Sequence, residues 1–91
     1  MNWIEVIQIR VSGRDQKLLE EELKELIVEV NQATDNILTV YKKYHLDTDI
    51  RIHLHHSSAE IDENGSPLGL QLASAFKEYG LVNHSVWLEV K

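Results

Sequence analysis

The chain has 91 residues, 43% of them hydrophobic and 26% charged, which suits one small domain and excludes both a second core and a disordered profile. Fifteen acidic residues against nine basic ones give a formal net charge of −6; such a chain is repelled by phosphate backbones, so nucleic acid is not an expected partner. Cysteine is absent, which removes disulfides, thiol nucleophiles and thiolate metal sites.

The opening Met1-Asn2-Trp3-Ile4-Glu5 has neither the basic nor the apolar region of a signal peptide, and no apolar run approaches the roughly 20 residues of a membrane span. A soluble, cytoplasmic, single ferredoxin-like domain over residues 1–91 is the expectation. Residues 3–11 (WIEVIQIRV) are rich in β-branched side chains, with apolar members in both alternating sets, as in a central strand. Ser12 as N-cap and Asp15 as the acid of a capping box then open a helix running to about residue 31. Leu19, Leu23, Leu26, Ile27 and Val30 form its apolar stripe, and Glu20–Lys24 and Lys17–Glu21 are spaced as solvated i,i+4 pairs. The acidic run Glu20-Glu21-Glu22 reads as a solvated face.

After a turn over 31–36 come two strands, 37–45 (ILTVYKKYH) and 49–56 (DIRIHLHH), with Leu46-Asp47-Thr48 as the hairpin connection. Residues 57–67 form a polar surface loop with a sharp Asn64-Gly65 turn, and its lack of apolar anchors suggests mobility or a lid. Ser66 as N-cap and Pro67 as first helical residue start a second helix. Its stripe is Leu68, Leu72, Ala75, Phe76 and Tyr79, with Gly80 placed as a C′ glycine. Residues 81–90 are the last strand. The order βαββαβ, with one apolar stripe per helix, predicts an α+β, ferredoxin-like sandwich: a four-stranded antiparallel sheet with two helices on one face.

The other face of that sheet would then be bare. With Ile50, Ile52 and Leu54 turned to the helices, Arg51, His53 and His55 point outward. Asn83, Ser85, Trp87 and Glu89 join them from the last strand, as do Ile4, Val6, Gln8 and Arg10 from the first. The parity of Tyr41, Lys43 and His45 is ambiguous. Ile4, Val6 and Trp87 make an apolar patch, and a second copy of the chain is the simplest cover.

The stretch IEVIQIRVSGRDQKLLEEELKELIVEV resembles the opening strand and helix of small dimeric α+β barrel proteins, such as the antibiotic biosynthesis monooxygenase group. The likeness covers the first third of the chain and lies in the binary pattern and the glycine after the strand. It implies two protomers packed sheet to sheet around a small-molecule cavity. Farther on, His55-His56-Ser57-Ser58 and a longer loop stand where that group often has an aromatic–acidic ending. A monooxygenase-like activity is therefore implied by the resemblance alone, with no residue carried over for it.

Four histidines lie on two strands. His53 and His55 share a face and could meet one ion, but no third ligand stands at an obvious spacing, and Arg51 adds a positive charge there. No metal and no cofactor is expected. His56 and His84 belong to the opposite parity. Arg51, His53, His55 and Trp87 are the candidate ligand-binding residues: imidazoles titrate near neutral pH, a guanidinium can clamp a carboxylate or an enolate-like oxygen, and an indole can stack on a flat ring. Interface or plain surface roles remain open for all four. The reading is a homodimer that binds a small organic molecule. The alternative is a non-catalytic regulatory module similar to ACT domains, which use the first strand–helix turn, here Ser12-Gly13-Arg14, for effector contacts. An RNA-recognition motif ranks last, since it needs aromatic central strands and a basic third strand.

Overall fold

The computed structural model describes residues 2–11, 14–33, 37–57 and 60–90. Elements follow in the order β1 (Trp3–Val11), α1 (Gln16–Ala33), β2 (Ile37–Lys43), β3 (Leu46–His56), α2 (Pro67–Ala75), a 3₁₀ turn (Phe76–Glu78) and β4 (Gly80–Leu88). The strands form one antiparallel sheet ordered β2-β3-β1-β4. This is the ferredoxin-like α+β arrangement expected from the binary pattern.

Strand parity explains the layering. Ile7, Ile9 and Val11 of β1, Leu38 of β2, and Ile50, Ile52 and Leu54 of β3 are buried under Leu19, Leu23 and Val30 of α1 and Leu72, Ala73 and Phe76 of α2. In α2 the buried stripe includes Ala73, while Ala75, assigned to it from spacing, is exposed. Asn31 ties the end of α1 to β2: the Leu38 amide donates to its Oδ1 at 2.9 Å and its Nδ2 donates to the Leu38 carbonyl at 3.4 Å. Glu20 accepts from Lys42 of β2 at 2.9 Å. That bond holds its carboxyl below the ordinary value.

The β2–β3 turn is Tyr44–His45, and Leu46 already pairs with Lys43. The polar Asp47-Thr48 pair suggests a loop at 46–48, but His45 supplies the left-handed residue (φ 64°) that lets the chain reverse earlier. A register shift between Lys42 and Lys43 absorbs the difference. At the end of α2 the helix tightens into the 3₁₀ turn, capped by Tyr79 in the right-handed region. Gly80 is therefore no C′ glycine; it opens β4, where a Cβ would collide with the Arg10 carbonyl of β1. The Ser12 N-cap and the Ser12-Gly13 turn lie outside the described residues.

The 57–67 loop is anchored at its far end by polar contacts. The Gly65 amide bonds to the Asp62 carbonyl at 3.0 Å, Gly65 (φ 101°) is buried, and the Ser66 amide donates to the side chain of Glu5 at 2.8 Å. Among the described residues no helix is long and apolar enough to cross a membrane.

Candidate functional site

On the bare face, cross-strand pairing makes rows. One runs Ile37, His55, Ile4, Trp87; the next Thr39, His53, Val6, Ser85; a third Tyr41, Arg51, Gln8, Asn83. The four residues singled out from the sequence share this face, and Tyr41 belongs to it as well. They divide between two hollows. Arg51 and His53 border one of about 410 Å³ with Gln8 and Tyr41. His55 and Trp87 border the other, of about 450 Å³, which lies across the strand ends and is also lined by Trp3 and His56.

His53 is half-buried, its ring 4.8 Å from that of Tyr41, and its Nε2 is buried without a hydrogen-bond partner. Burial above all, then His55 and Arg51, lower its pKa below 6.5. His55 Nε2 lies 3.3 Å from Thr39 Oγ1. The Trp87 indole donates to Ser85 Oγ at 2.8 Å and keeps 58% of its surface exposed. Among the described residues no three His, Cys, Asp or Glu side chains are spaced to hold a metal ion.

The most constrained polar group lies on the other face. Glu5 occupies a helix-facing position of β1 and has 0% of its side chain exposed. Each carboxylate oxygen has two donors. Oε1 accepts from the Ser66 amide at 2.8 Å and from His84 Nε2 at 2.9 Å; Oε2 accepts from His56 Nε2 at 2.6 Å and from Ser66 Oγ at 2.5 Å. Ser66 Oγ in turn accepts from the Gly69 amide at 3.0 Å, as an N-cap does. Burial by itself raises the carboxyl's pKa. The Ser66 hydroxyl, His56, the Ser66 amide and His84 together outweigh it, and the pKa falls below 4.5. An ionised carboxylate only accepts, so both imidazoles carry hydrogen on Nε2.

Antiparallel pairing brings these groups together. Glu5 pairs with Leu54 and Val86, so His56 and His84 each stand two residues along on the flanking strands and on the same face. Trp3 stacks on His56 with ring centroids 4.1 Å apart and 19° between planes. Gly65 and Gly69 make room for the cluster: a Cβ on the first would strike His84, and on the second the Glu5 carboxylate.

No spaced motif in the sequence announces this cluster. The signal was present as a parity violation, since Glu5, His56 and His84 are the polar members of otherwise apolar, helix-facing sets on three adjacent strands. The bound carboxylate is both a structural clamp across β1, β3, β4 and α2 and a group able to orient an imidazole, fixing which ring nitrogen carries the hydrogen. No family model, curated protein or solved structure matches the chain.

Proposed function

We propose that the protein is a cytoplasmic homodimer, closed sheet to sheet, that binds a small organic molecule beside the interface. The uncovered sheet face supports this most directly. Trp87 on one edge strand and Ile37 and Tyr41 on the other expose 58%, 59% and 51% of their surfaces on the face that no helix covers, and exposed large apolar side chains on one face mark interaction surfaces. The face is also electrically asymmetric. Arg51 lies in the middle of the sheet, opposite Gln8, and Arg10 beyond it is bonded to Asp49 at 3.3 Å, while Glu89 follows β4 at the far end. A two-fold axis running across the strands would bring each protomer's Arg51 toward its partner's Glu89.

The hollow at the strand ends, walled by Trp3, Trp87 and two histidines, is within the size range of small-molecule sites. The exposed Trp87 indole suits a flat ring and imidazoles suit its polar substituents. Light scattering at micromolar concentration should report a dimer. Saturation-transfer NMR with 2-tetralone, a neutral bicyclic ketone, should show contact with the protein, weakened in Trp87→Ala. A wild-type monomer would refute the assembly, and no transfer to 2-tetralone would refute the site.

A further inference from the structure

Two arrangements meet at the strand-end hollow: an apolar cavity, and an imidazole fixed from behind by a buried carboxylate. His56 is the residue common to both. Its side chain is 7% exposed, its plane is set by the Trp3 stack, and its Nε2–H is committed to Glu5. Nδ1 is then the ring's basic nitrogen. A histidine held in one tautomer by a carboxylate, with the opposite nitrogen toward a ligand, is the recurring arrangement of general bases, because the carboxylate also stabilises the imidazolium formed on proton uptake.

We propose that His56 is a general base, that Glu5 is its positioning residue, and that the protein transfers protons on a small, neutral, enolisable aromatic carbonyl compound. This rests on reading the hollow as a small-molecule site, and it does not need the dimer. The substrate class follows from the walls. Trp3, Trp87, Ile4, Ile37 and Leu88 supply apolar and aromatic surface; Glu89 also lines the hollow, and neither lysine nor arginine does. Within one protomer an anion would face the Glu89 carboxylate with no lysine or arginine lining the hollow, a repulsion that a neutral flat ketone avoids. The other titratable groups around His56 are His84 and Glu5 behind it and His55 and Glu89 within the hollow.

In the step, Nδ1 takes the proton on the carbon beside the carbonyl. The C–H electron pair becomes a C=C bond, and the carbonyl π pair moves to oxygen. The imidazolium then returns a proton to that oxygen, giving the enol, or to carbon, restoring the ketone. Nothing is oxidised or reduced, and no co-reactant is consumed.

2-Tetralone in D₂O provides the test. The wild type should accelerate deuterium uptake at C1, read by proton NMR, beyond buffer alone. His56→Gln should lower the protein-dependent rate about 100-fold or more while saturation transfer persists. Glu5→Gln should lower the turnover rate with affinity little changed, a split that loss of folded protein would not produce. If either variant fails to fold, Trp87→Arg, at an exposed wall position, should keep the wild-type circular dichroism and cut exchange at least 10-fold by obstructing the hollow. Wild type that binds 2-tetralone without accelerating exchange overturns the base and leaves the binding site standing. Wild type that does not bind overturns both. Exchange unchanged in folded His56→Gln or in Trp87→Arg also overturns the proposal.

Discussion

A carboxylate removed from water persists only where its oxygens are answered by donors, and Glu5 has four. Glu5→Gln keeps the shape but replaces one accepting oxygen with an NH₂ that faces donors. Leaving buried donors unmatched costs about 1–3 kcal/mol, a sizeable share of the stability of so small a domain. Urea unfolding at pH 7 should show that loss. The pH dependence has a definite sign. Glu5 has a folded pKa below 4.5, so its contribution is fully present above that value and is lost as pH falls toward the folded pKa, where the unfolded chain takes up the proton first. The gap between wild type and Glu5→Gln should therefore narrow as pH drops below about 4.5. His53 sets a separate, higher window. Its folded pKa lies below 6.5, so the folded state resists protonation and stability declines as pH falls from about 6.5 toward that value. Proton–carbon NMR should place the His53 midpoint below 6.5; a midpoint above it would contradict the burial of that ring.

At the scale of elements, α2 is placed by its first turn. Ser66 caps the helix and also binds Glu5, and Gly69 lies directly over the carboxylate. Alanine in place of a helix-interior glycine ordinarily stabilises by up to about 1 kcal/mol. Here the new Cβ would meet Glu5 Oε1 and Cδ, so the sign should reverse, and Gly69→Ala should destabilise by about 1–3 kcal/mol through overpacking. A thermal melt that rises on this substitution would show that α2 can slide off β1 at no cost. The α1 stripe, most of the α2 stripe, the Ser66-Pro67 start and the facing of His53 and His55 were legible in the sequence because each depends on a local period or a local capping signal. The turn at Tyr44–His45 was not legible, because it has no glycine or asparagine and relies on a histidine accepting positive φ. The Glu5 cluster was hidden for a different reason. Its members are 51 and 79 residues apart, and only strand register makes them neighbours.

For the whole molecule, charge placement decides how two bare sheet faces would meet in the proposed dimer. Arg51 pairs with Gln8 in the middle of β1, whereas Glu89 lies beyond the other end, its amide bonded to the Asn2 carbonyl. Six residues of strand separate these rows, roughly 20 Å at 3.3 Å per residue, so the two charges cannot pair within one protomer. In a two-fold sheet-to-sheet dimer each can approach its opposite on the partner, twice per dimer. Arg51→Glu and Glu89→Arg should each weaken the dimer by placing like charges together, and the double charge swap should recover most of the loss. Both side chains are at exposed positions, so the monomer fold should tolerate all three variants. Sedimentation equilibrium at low and high salt separates the cases. Pairing across the interface predicts that the swap is non-additive and that salt, by screening, diminishes all the differences. Additive losses, or a dimer indifferent to either charge, would mean that the sheets meet in another orientation, with the Trp87 row alone at the seam.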